Sequence, residues 1–301
     1  MASNRKEGVE MRKHTWWIVF LFVLFGSSTA FGEVNFKDVV PFGDSLTHND
    51  LLWLKYENPP DMYGKDPIHA VFSRGASSGD KLWEEYAVAG SESDHLEIQI
   101  GLYEARRLLG LQDKATLINL EIGGNDIVNN DDLLAAHAPG ENGSADEVID
   151  NIIRNIRSAW KRLRDSHPDA QFVIWTITDT TRAPRLCESL TEEEASNIRA
   201  HTQRANAYIR SLGRNASVLV FDLYAVARRL IAKPPELFGR PLVPPPDYGE
   251  YDCLFADKLH PTAVSNAILA NSIIAGMNRK WDDRIPRYTN AKLANLAHIS
   301  R

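Results

Sequence analysis

Ser45 is the first residue whose type and position could support chemistry. It stands in Gly43-Asp44-Ser45, where a short apolar run ends and an amphipathic segment begins. This pattern predicts a turn between a strand and a helix, which would expose the serine hydroxyl beside free backbone N–H groups. Such N–H groups can stabilise a developing negative charge. Taken alone, the tripeptide fits equally an ordinary turn in which Asp44 or Ser45 caps the helix.

Two later stretches add a neutral hydrogen-bond donor and an acid–base pair. Ile122-Gly123-Gly124-Asn125-Asp126 contains an amide that can donate two hydrogen bonds without a charge. In Asp257-Lys258-Leu259-His260-Pro261, the carboxylate is close enough in sequence to hold Nδ1–H of His260, which would leave Nε2 free to accept a proton. Each stretch by itself also fits a structural turn or a helix cap. Together they predict one site, because each follows a strand or opens a helix.

The segments around these residues alternate between strand-like and helix-like patterns. Amphipathic helix patterns include Glu192–Leu212 and a segment from Pro261 to about Met277. Apolar runs of strand length occur at 39–42, 85–89, 116–122, 172–178 and 218–223. Strands separated by helical crossovers predict an α/β fold, a parallel sheet of five strands with helices on both faces. In such folds the site gathers at the carboxyl ends of the strands.

The three stretches resemble the blocks of the SGNH hydrolases, also called the GDSL esterase/lipase family, whose marker residues are Ser, Gly, Asn and His. Gly43-Asp44-Ser45-Leu46 is similar to the first block, Gly123-Gly124-Asn125-Asp126 to the third, and Asp257-x-x-His260-Pro261 to the last. Their order and spacing agree across roughly the whole chain after residue 30. The resemblance implies a three-layer α/β/α sandwich around a mostly parallel, flavodoxin-like sheet of five strands.

The second block of the family has two candidates here. The stretch Trp83-Glu84-Glu85-Tyr86-Ala87-Val88-Ala89-Gly90 looks like the glycine-bearing block, and Gly90 follows a predicted strand. Gly79, in Ser77-Ser78-Gly79, is the alternative. Gly90 is preferred because one helix and one strand separate it from Asn125, as the family's crossover requires.

The resemblance implies a serine esterase that cleaves carboxylic esters. Ser45 would be the nucleophile, His260 the general base and then acid, and Asp257 the group that orients the imidazole. The N–H groups of Ser45 and Gly90 and the side-chain amide of Asn125 would form the oxyanion hole. No metal or organic cofactor is required. The substrate is either a lipid acyl ester or an acetylated carbohydrate.

The sequence allows two alternative hypotheses for the function. Gly75-Ala76-Ser77-Ser78-Gly79 fits the G-x-S-x-G elbow of α/β-hydrolases, which would make Ser77 the nucleophile. Too few strand–helix units precede Ser77 for a nucleophile at the centre of that fold. The other alternative is a secreted binding protein that keeps the fold without turnover.

Residues 1–30 have the layout of a secretory signal peptide. Four basic side chains precede the apolar run 16–25, and Ser28-Thr29-Ala30 offers small residues for cleavage. We therefore expect a secreted or periplasmic protein with a single hydrolase domain over 31–301, and an uncleaved membrane anchor is the alternative. Removal of the segment, with its four basic and two acidic side chains, changes the net charge from −6 to −8. Such a charge disfavours nucleic acid and anionic lipid as partners, and we expect a monomer.

The remaining expectations concern cysteines, metals and loops. Export permits a Cys187–Cys253 disulfide, with two buried free thiols as the alternative. The other histidines show no metal-ligand spacing, and the cluster 129–132 is interpreted as a solvated turn rather than a calcium site.

Residues 49–63, with Trp53, Tyr56 and Tyr63, and the proline-rich loop 233–256 are candidate walls of the site. Asn142 and Asn215 begin glycosylation sequons, and the tail after Trp281 is expected to lie loosely on the surface.

Overall fold

The structure is a computed structural model that describes residues 33–47 and 86–300. Several predicted features lie outside the described residues: the signal peptide at 1–30, Ser77, Gly79 and the aromatic side chains of 49–63.

A parallel sheet forms the centre of the described fold. Its strands are β1 (Val39–Gly43), β2 (Leu117–Glu121), β3 (Gln171–Trp175) and β4 (Val218–Phe221), in the order β1-β2-β3-β4. Each pairs in parallel with the next. The strands are almost entirely buried, which is why they are continuous apolar runs in the sequence rather than alternating patterns. Four of the five predicted strands are thus confirmed, with ends that shift by up to three residues.

The fifth predicted strand, at 85–89, is wrong for the residues described there. Tyr86 N–H donates to the Pro41 carbonyl at 3.2 Å and Val88 N–H to the Gly43 carbonyl at 3.1 Å, so the segment runs beside β1. A turn closes at once, where Ser91 N–H donates to the Val88 carbonyl at 3.0 Å. Two backbone hydrogen bonds before a turn are too few to form a regular strand, and the sheet of the described residues has four strands.

Helices occupy both faces of the sheet. Those that begin before β3 are α1 (Leu96–Leu108), α2 (Gly124–Asn129), α3 (Asp131–Ala136) and α4 (Gly143–Ser166). Those that follow β3 are α5 (Glu192–Leu212), α6 (Leu223–Ala232), α7 (Ala263–Trp281) and α8 (Asn290–Leu296). The predicted helix at Glu192–Leu212 is confirmed, and the one predicted from Pro261 corresponds to α7. Over the described ranges, no helix has the length and apolar character needed to cross a membrane.

Two apolar cores separate the layers. On one face, Phe42, Ile118 and Phe172 of the strands pack with buried residues of α1, α4 and α5. On the other face, Leu117 and Trp175 pack with buried residues of α6 and α7. Neighbouring strand residues such as Leu117 and Ile118 point to opposite cores, as the pleat of a strand requires. The architecture is therefore a three-layer α/β/α sandwich.

The chain after Trp281 packs against the rest of the fold, so the predicted loose tail is wrong. Thr289 caps α8 by accepting a hydrogen bond from Lys292 N–H. Leu293, Ala294 and Ala297 are buried against residues that include Val264 and Ala267 of α7. The segment is polar on average, but its few apolar side chains fall on one side of a short helix and are sufficient to dock it.

The proline-rich segment 233–256 contains regular structure that the sequence did not suggest. A short antiparallel hairpin pairs β5 (Glu236–Leu237) with β6 (Arg240–Pro241). Isolated bridges then join Val243 to Cys253 and Phe255 to Pro261. These contacts hold the segment as it approaches the loop that carries Asp257 and His260.

The predicted Cys187–Cys253 disulfide is not present: both residues are free cysteines. Each backbone belongs to its own local turn, since Cys187 N–H donates to the Ala183 carbonyl and Cys253 N–H to the Glu250 carbonyl. Burial raises the pKa of both thiols, which keeps them in the unreactive thiol form. Export and an even cysteine count permitted a bridge, but they carry no information about the geometry that a bridge requires.

Candidate active site

Ser45 lies on a tight turn at the carboxyl end of β1. Thr47 N–H donates to the Asp44 carbonyl at 3.1 Å, and Leu46 N–H donates to Asp44 Oδ1 at 2.9 Å, so the turn 44–47 is closed on either side of Ser45. Gly43 allows the neighbouring strand end to come close: a Cβ atom on Gly43 would lie 2.0 Å from the Glu121 carbonyl oxygen. The sequence thus needs glycine here, and the turn presents the serine side chain at the sheet edge.

His260 and Asp257 complete a chain of hydrogen bonds from Ser45. Nε2 of His260 is 2.9 Å from Oγ of Ser45, and Nδ1 of His260 is 2.7 Å from Oδ2 of Asp257. The carboxylate can only accept, so Nδ1 carries the proton and Nε2 is the acceptor that faces the hydroxyl. This is the tautomer that a general base requires.

The environment of Asp257 keeps its carboxylate ionised. Burial by itself would raise the pKa, but the hydrogen bond and charge of His260, with backbone N–H donors, outweigh burial and lower the pKa of Asp257 below its ordinary 3.8. Those donors are the N–H groups of Leu259 and His260, each 2.7 Å from Oδ1. Oδ1 of Asp257 thus fixes the loop, and Oδ2 fixes the imidazole of His260.

Asn125 lies in the first turn of α2 and faces the same pocket. Its Nδ2 donates one hydrogen bond to the Ser91 carbonyl at 2.9 Å. A primary amide has two N–H donors, so this contact fixes the orientation of the amide and leaves the second donor for a ligand. Gly123 precedes the helix with φ +107°, and a side chain there would collide with Ile177.

A single pocket of about 290 Å³ unites the predicted residues. Ser45, Gly90, Asn125, Asp257 and His260 all line it. Gly90 has φ +80° and sits in the turn that follows the segment beside β1. Gly79, the alternative for the second block, lies outside the described residues, so its choice against Gly90 stays a prediction.

A second, mostly apolar pocket of about 90 Å³ adjoins the first and was missed at the level of sequence. The two pockets share Leu46, Thr178, Thr180 and Leu259. The apolar pocket extends from these residues between α6 and the loop before His260, where Ala227, Leu230 and Phe255 line it. The amphipathic pattern of α6 predicts a core-facing helix, and nothing in that pattern distinguishes a packed core from an open pocket.

Side chains that support the site were also missed. Gln99 of α1 accepts from Gly43 N–H at 2.9 Å and donates to the Gly43 carbonyl at 2.8 Å, so one amide holds the end of β1. Asp126 accepts from the backbone and hydroxyl of Ser93, and burial raises the pKa of Asp126 to about 6. Glu121 is buried at the end of β2. The available signal was a polar residue two positions from a glycine, which for Gln99 and Glu121 also stands between two apolar residues.

The remaining polar candidates have structural surroundings. His167 contacts Tyr103, the ring of His201 contacts the His137 carbonyl, and His95 forms a cap with Glu92. Across 33–47 and 86–300, no group of three or more His, Cys, Asp or Glu side chains is arranged to hold a metal ion. In the cluster 129–132, Asn129 donates to Glu92 and Asn130 to the Asp126 carbonyl. Asn142 caps α4 by accepting from Ser144 N–H.

The chain matches the family of GDSL-like lipases and acylhydrolases over residues 39–273. Among solved structures, it is similar to the lipase Lip_vut3 from a goat rumen metagenome, with 13% identity, a TM-score of 0.53, and coverage of 79% of this chain and 96% of that one. It is also similar to an extracellular lipase from Streptomyces rimosus, with 14% identity, a TM-score of 0.45, and coverage of 81% and 99%. A search of curated protein sequences finds no match. The chain belongs to the GDSL-like lipase/acylhydrolase family and is a hydrolase of ester bonds.

Proposed function

We propose that the protein is a serine esterase that acts through an acyl-enzyme on Ser45. The observation that carries this proposal is the unbroken relay in which Ser45 Oγ meets His260 Nε2 at 2.9 Å and Asp257 Oδ2 meets His260 Nδ1 at 2.7 Å. Such a relay supports the assignment of Ser45 as nucleophile, His260 as base and Asp257 as orienting carboxylate, the three roles that acyl transfer requires.

The reaction follows from this geometry in two halves. As Ser45 Oγ bonds to the ester carbonyl carbon, its proton passes to His260 Nε2, and Asp257 stabilises the imidazolium. The bond from the carbonyl carbon to the alkoxy oxygen then breaks, and the leaving alcohol takes the proton from His260. Water next attacks the acyl-enzyme and gives a proton to His260, which returns it to Ser45 as the carboxylic acid leaves.

The oxyanion formed in each half would be held by neutral donors. The side-chain amide of Asn125 has a donor left for the pocket, and the backbone N–H groups of Ser45 and Gly90 are on residues of the same pocket. Such donors are already oriented before the negative charge develops, so they stabilise it without reorganising. Removal of one donor typically lowers the rate about 10²–10³-fold.

The apolar pocket beside the site favours an acyl ester with a chain longer than acetyl. It shares four lining residues with the catalytic pocket, so a chain attached to Ser45 could enter it from the reacting carbonyl. Burial of each methylene is worth about 0.8 kcal/mol. An acetylated carbohydrate is the second candidate substrate, because aromatic residues of 49–63 could stack on a sugar ring. The export pattern of residues 1–30 supports a role outside the cytoplasm.

The test is hydrolysis of p-nitrophenyl esters, from acetate to palmitate, by the wild-type protein and by Ser45→Ala and Ser77→Ala variants. We expect Ser45→Ala to abolish hydrolysis and Ser77→Ala to retain it. Loss only in Ser77→Ala would instead support the G-x-S-x-G alternative, and retention in both variants would overturn the assignment of the nucleophile. The acyl length with the highest kcat/KM decides between a lipid-like and an acetyl substrate.

A further inference from the structure

Two buried carboxyl groups lie at the turn that carries Ser45: Asp44 within the turn and Glu121 beside it, at the end of β2. Asp44 is 2% exposed and Glu121 is 4% exposed, and their carboxyl groups are within hydrogen-bonding reach of each other. Two ionised carboxylates are both acceptors only, so a hydrogen bond between them requires that one carry a proton. Two carboxyl groups in contact in a buried site cannot both stay ionised, because their negative charges repel each other.

Glu121 contacts both ends of the nucleophile turn. Its carboxyl group accepts a hydrogen bond from the backbone N–H of Asp44 and another from Thr47 Oγ1, whose oxygen is 3.4 Å from Oε2. The backbone of Glu121 is in register with Gly43 across the β1–β2 pair, where glycine permits the close approach. Ser45 lies between the two residues that Glu121 holds.

The side chain of Asp44 holds the other side of the turn, beyond Ser45. Its Oδ1 accepts from Leu46 N–H at 2.9 Å, which closes the turn around Ser45. Its Oδ2 points toward Gly124, the residue before Asn125, since a Cβ built on Gly124 would be 3.7 Å away. The carboxyl pair therefore lies where the nucleophile turn, β2 and the helix with Asn125 meet.

We propose that Asp44 and Glu121 share one proton, and that this singly charged pair positions Ser45 for His260. Glu121 is a positioning residue that acts through the turn. Its catalytic consequence rests on the proposed function of Ser45. A second ionisation would put two negative charges in contact, separate the side chains and displace the turn. Activity should therefore fall at alkaline pH as the shared proton is lost.

The surroundings support one retained proton. Burial first, and then the negative charge of Asp44, raise the pKa of Glu121 well above its ordinary 4.5. Uncharged polar groups hold the chain beside the pair: Thr47 of the turn donates to Glu121, Asn119 of β2 has its Nδ2 3.5 Å from Thr47 Oγ1, and Gln99 of α1 holds Gly43. His260 and Asp257 are the titratable groups on the pocket side of Ser45.

Infrared spectroscopy of the resting protein tests the shared proton without any turnover. Near pH 8, where an ordinary carboxyl group is ionised, we expect the carbonyl band of a protonated carboxylic acid in the wild type and its loss in Glu121→Gln. Asp126→Asn is the matched control, since it removes another buried carboxyl group and should keep the band. In Asp44→Asn the like charge is gone, so the band should disappear at lower pH than in the wild type. Absence of the band in the wild type, or its persistence in Glu121→Gln, would overturn the proposal.

The pH profile of kcat tests the positioning role. The Gln side chain keeps a neutral donor and cannot ionise, so Glu121→Gln should retain activity near neutral pH and lose the alkaline decline that the wild type shows. Glu121→Ala should lose up to about 10²-fold in kcat, the effect of a small displacement of a reacting group. An alkaline decline that is identical in wild type and Glu121→Gln would contradict the role. If the infrared band is present but the Ser45→Ala variant stays active, the shared proton is supported and only the assignment of Ser45 as nucleophile is rejected.

Discussion

Nε2 of His260 lies 2.9 Å from Oγ of Ser45, although the two residues are 215 positions apart in the sequence. Ser45 is fixed by the end of β1, and His260 by a loop that is closed before α7. In that loop Ala256 N–H donates to the His260 carbonyl at 2.8 Å, and Thr262 caps the helix by accepting from Ser265 N–H. The contact thus depends on two turns from distant parts of the chain, which α7 and the sheet bring together.

The first prediction concerns Asp257. In Asp257→Asn an amide replaces the carboxylate, so the side chain no longer stabilises the imidazolium and can favour the wrong tautomer of His260. We expect kcat to fall about 10³–10⁴-fold with the fold intact. The matched control is Asp247→Asn, an exposed residue of the preceding loop, which should leave kcat unchanged. Steady-state hydrolysis of a p-nitrophenyl ester measures both, and an Asp257→Asn enzyme with normal kcat would exclude the relay.

The second prediction concerns Asn125. Because its amide is oriented by the Ser91 carbonyl and has a donor left for the pocket, Asn125→Ala should lower kcat about 10²–10³-fold and change KM little. Asn129→Ala is the control: Asn129 is on the same helix but exposed, and its amide binds Glu92. Equal activity of the two variants would remove Asn125 from the oxyanion hole.

The elements and the residues of the pocket were largely predictable, because their signals are local. The strands are apolar runs with both faces buried, and α5 begins at a Thr191–Glu194 capping box that is legible in the sequence. Ser45, Asn125, Asp257 and His260 stand in short motifs at the ends of such elements. For this reason the parallel topology alone brings them to one edge of the sheet.

What the sequence could not supply depends on packing between distant segments. Residues 86–89 have a strand-like composition, and only the turn after Val88 shows that pairing stops there. The cysteines have compatible chemistry but lie in separate turns. The apolar pocket and the Asp44–Glu121 contact arise where elements from several parts of the chain meet. Where distant elements meet, the amino-acid composition of each element is the same whether the side chains fill the space between them or leave a pocket.

The third prediction tests the apolar pocket as the site of the acyl chain. Ala227 lines it from α6, so Ala227→Trp should fill part of its volume of about 90 Å³. We expect kcat/KM for octanoyl and longer esters to fall at least about 10-fold, while acetyl ester hydrolysis stays within about twofold, since pocket contacts discriminate on this scale. Ala232→Trp, at the exposed end of the same helix, serves as the control. A uniform decrease for all chain lengths would indicate a damaged fold instead of a shortened pocket.

The fourth prediction concerns stability at acid pH and depends on His167. Its ring is fully buried, with Nε2 2.7 Å from the Tyr103 hydroxyl and Nδ1 3.1 Å from the Leu163 carbonyl. The tyrosine hydroxyl also accepts from Ala115 N–H, so it donates its proton to Nε2, and the neutral ring satisfies both contacts. Burial first, and then the positive charge of Arg107, lower the pKa of His167 from 6.5 to about 4.

The sign of the effect follows from where each state binds protons. Below pH 6.5 the unfolded chain protonates this histidine and the folded protein does not until the pH is about 4. The free energy of unfolding should therefore fall as the pH is lowered through this interval, by up to about 3 kcal/mol from this residue. In His167→Gln the titrating group is absent, so the variant should be less stable at neutral pH but lose less stability between pH 6.5 and 4. Urea unfolding at a series of pH values measures the difference. The exposed His95→Gln should follow the wild type, and a His167→Gln curve parallel to the wild type would show that His167 does not carry the acid sensitivity.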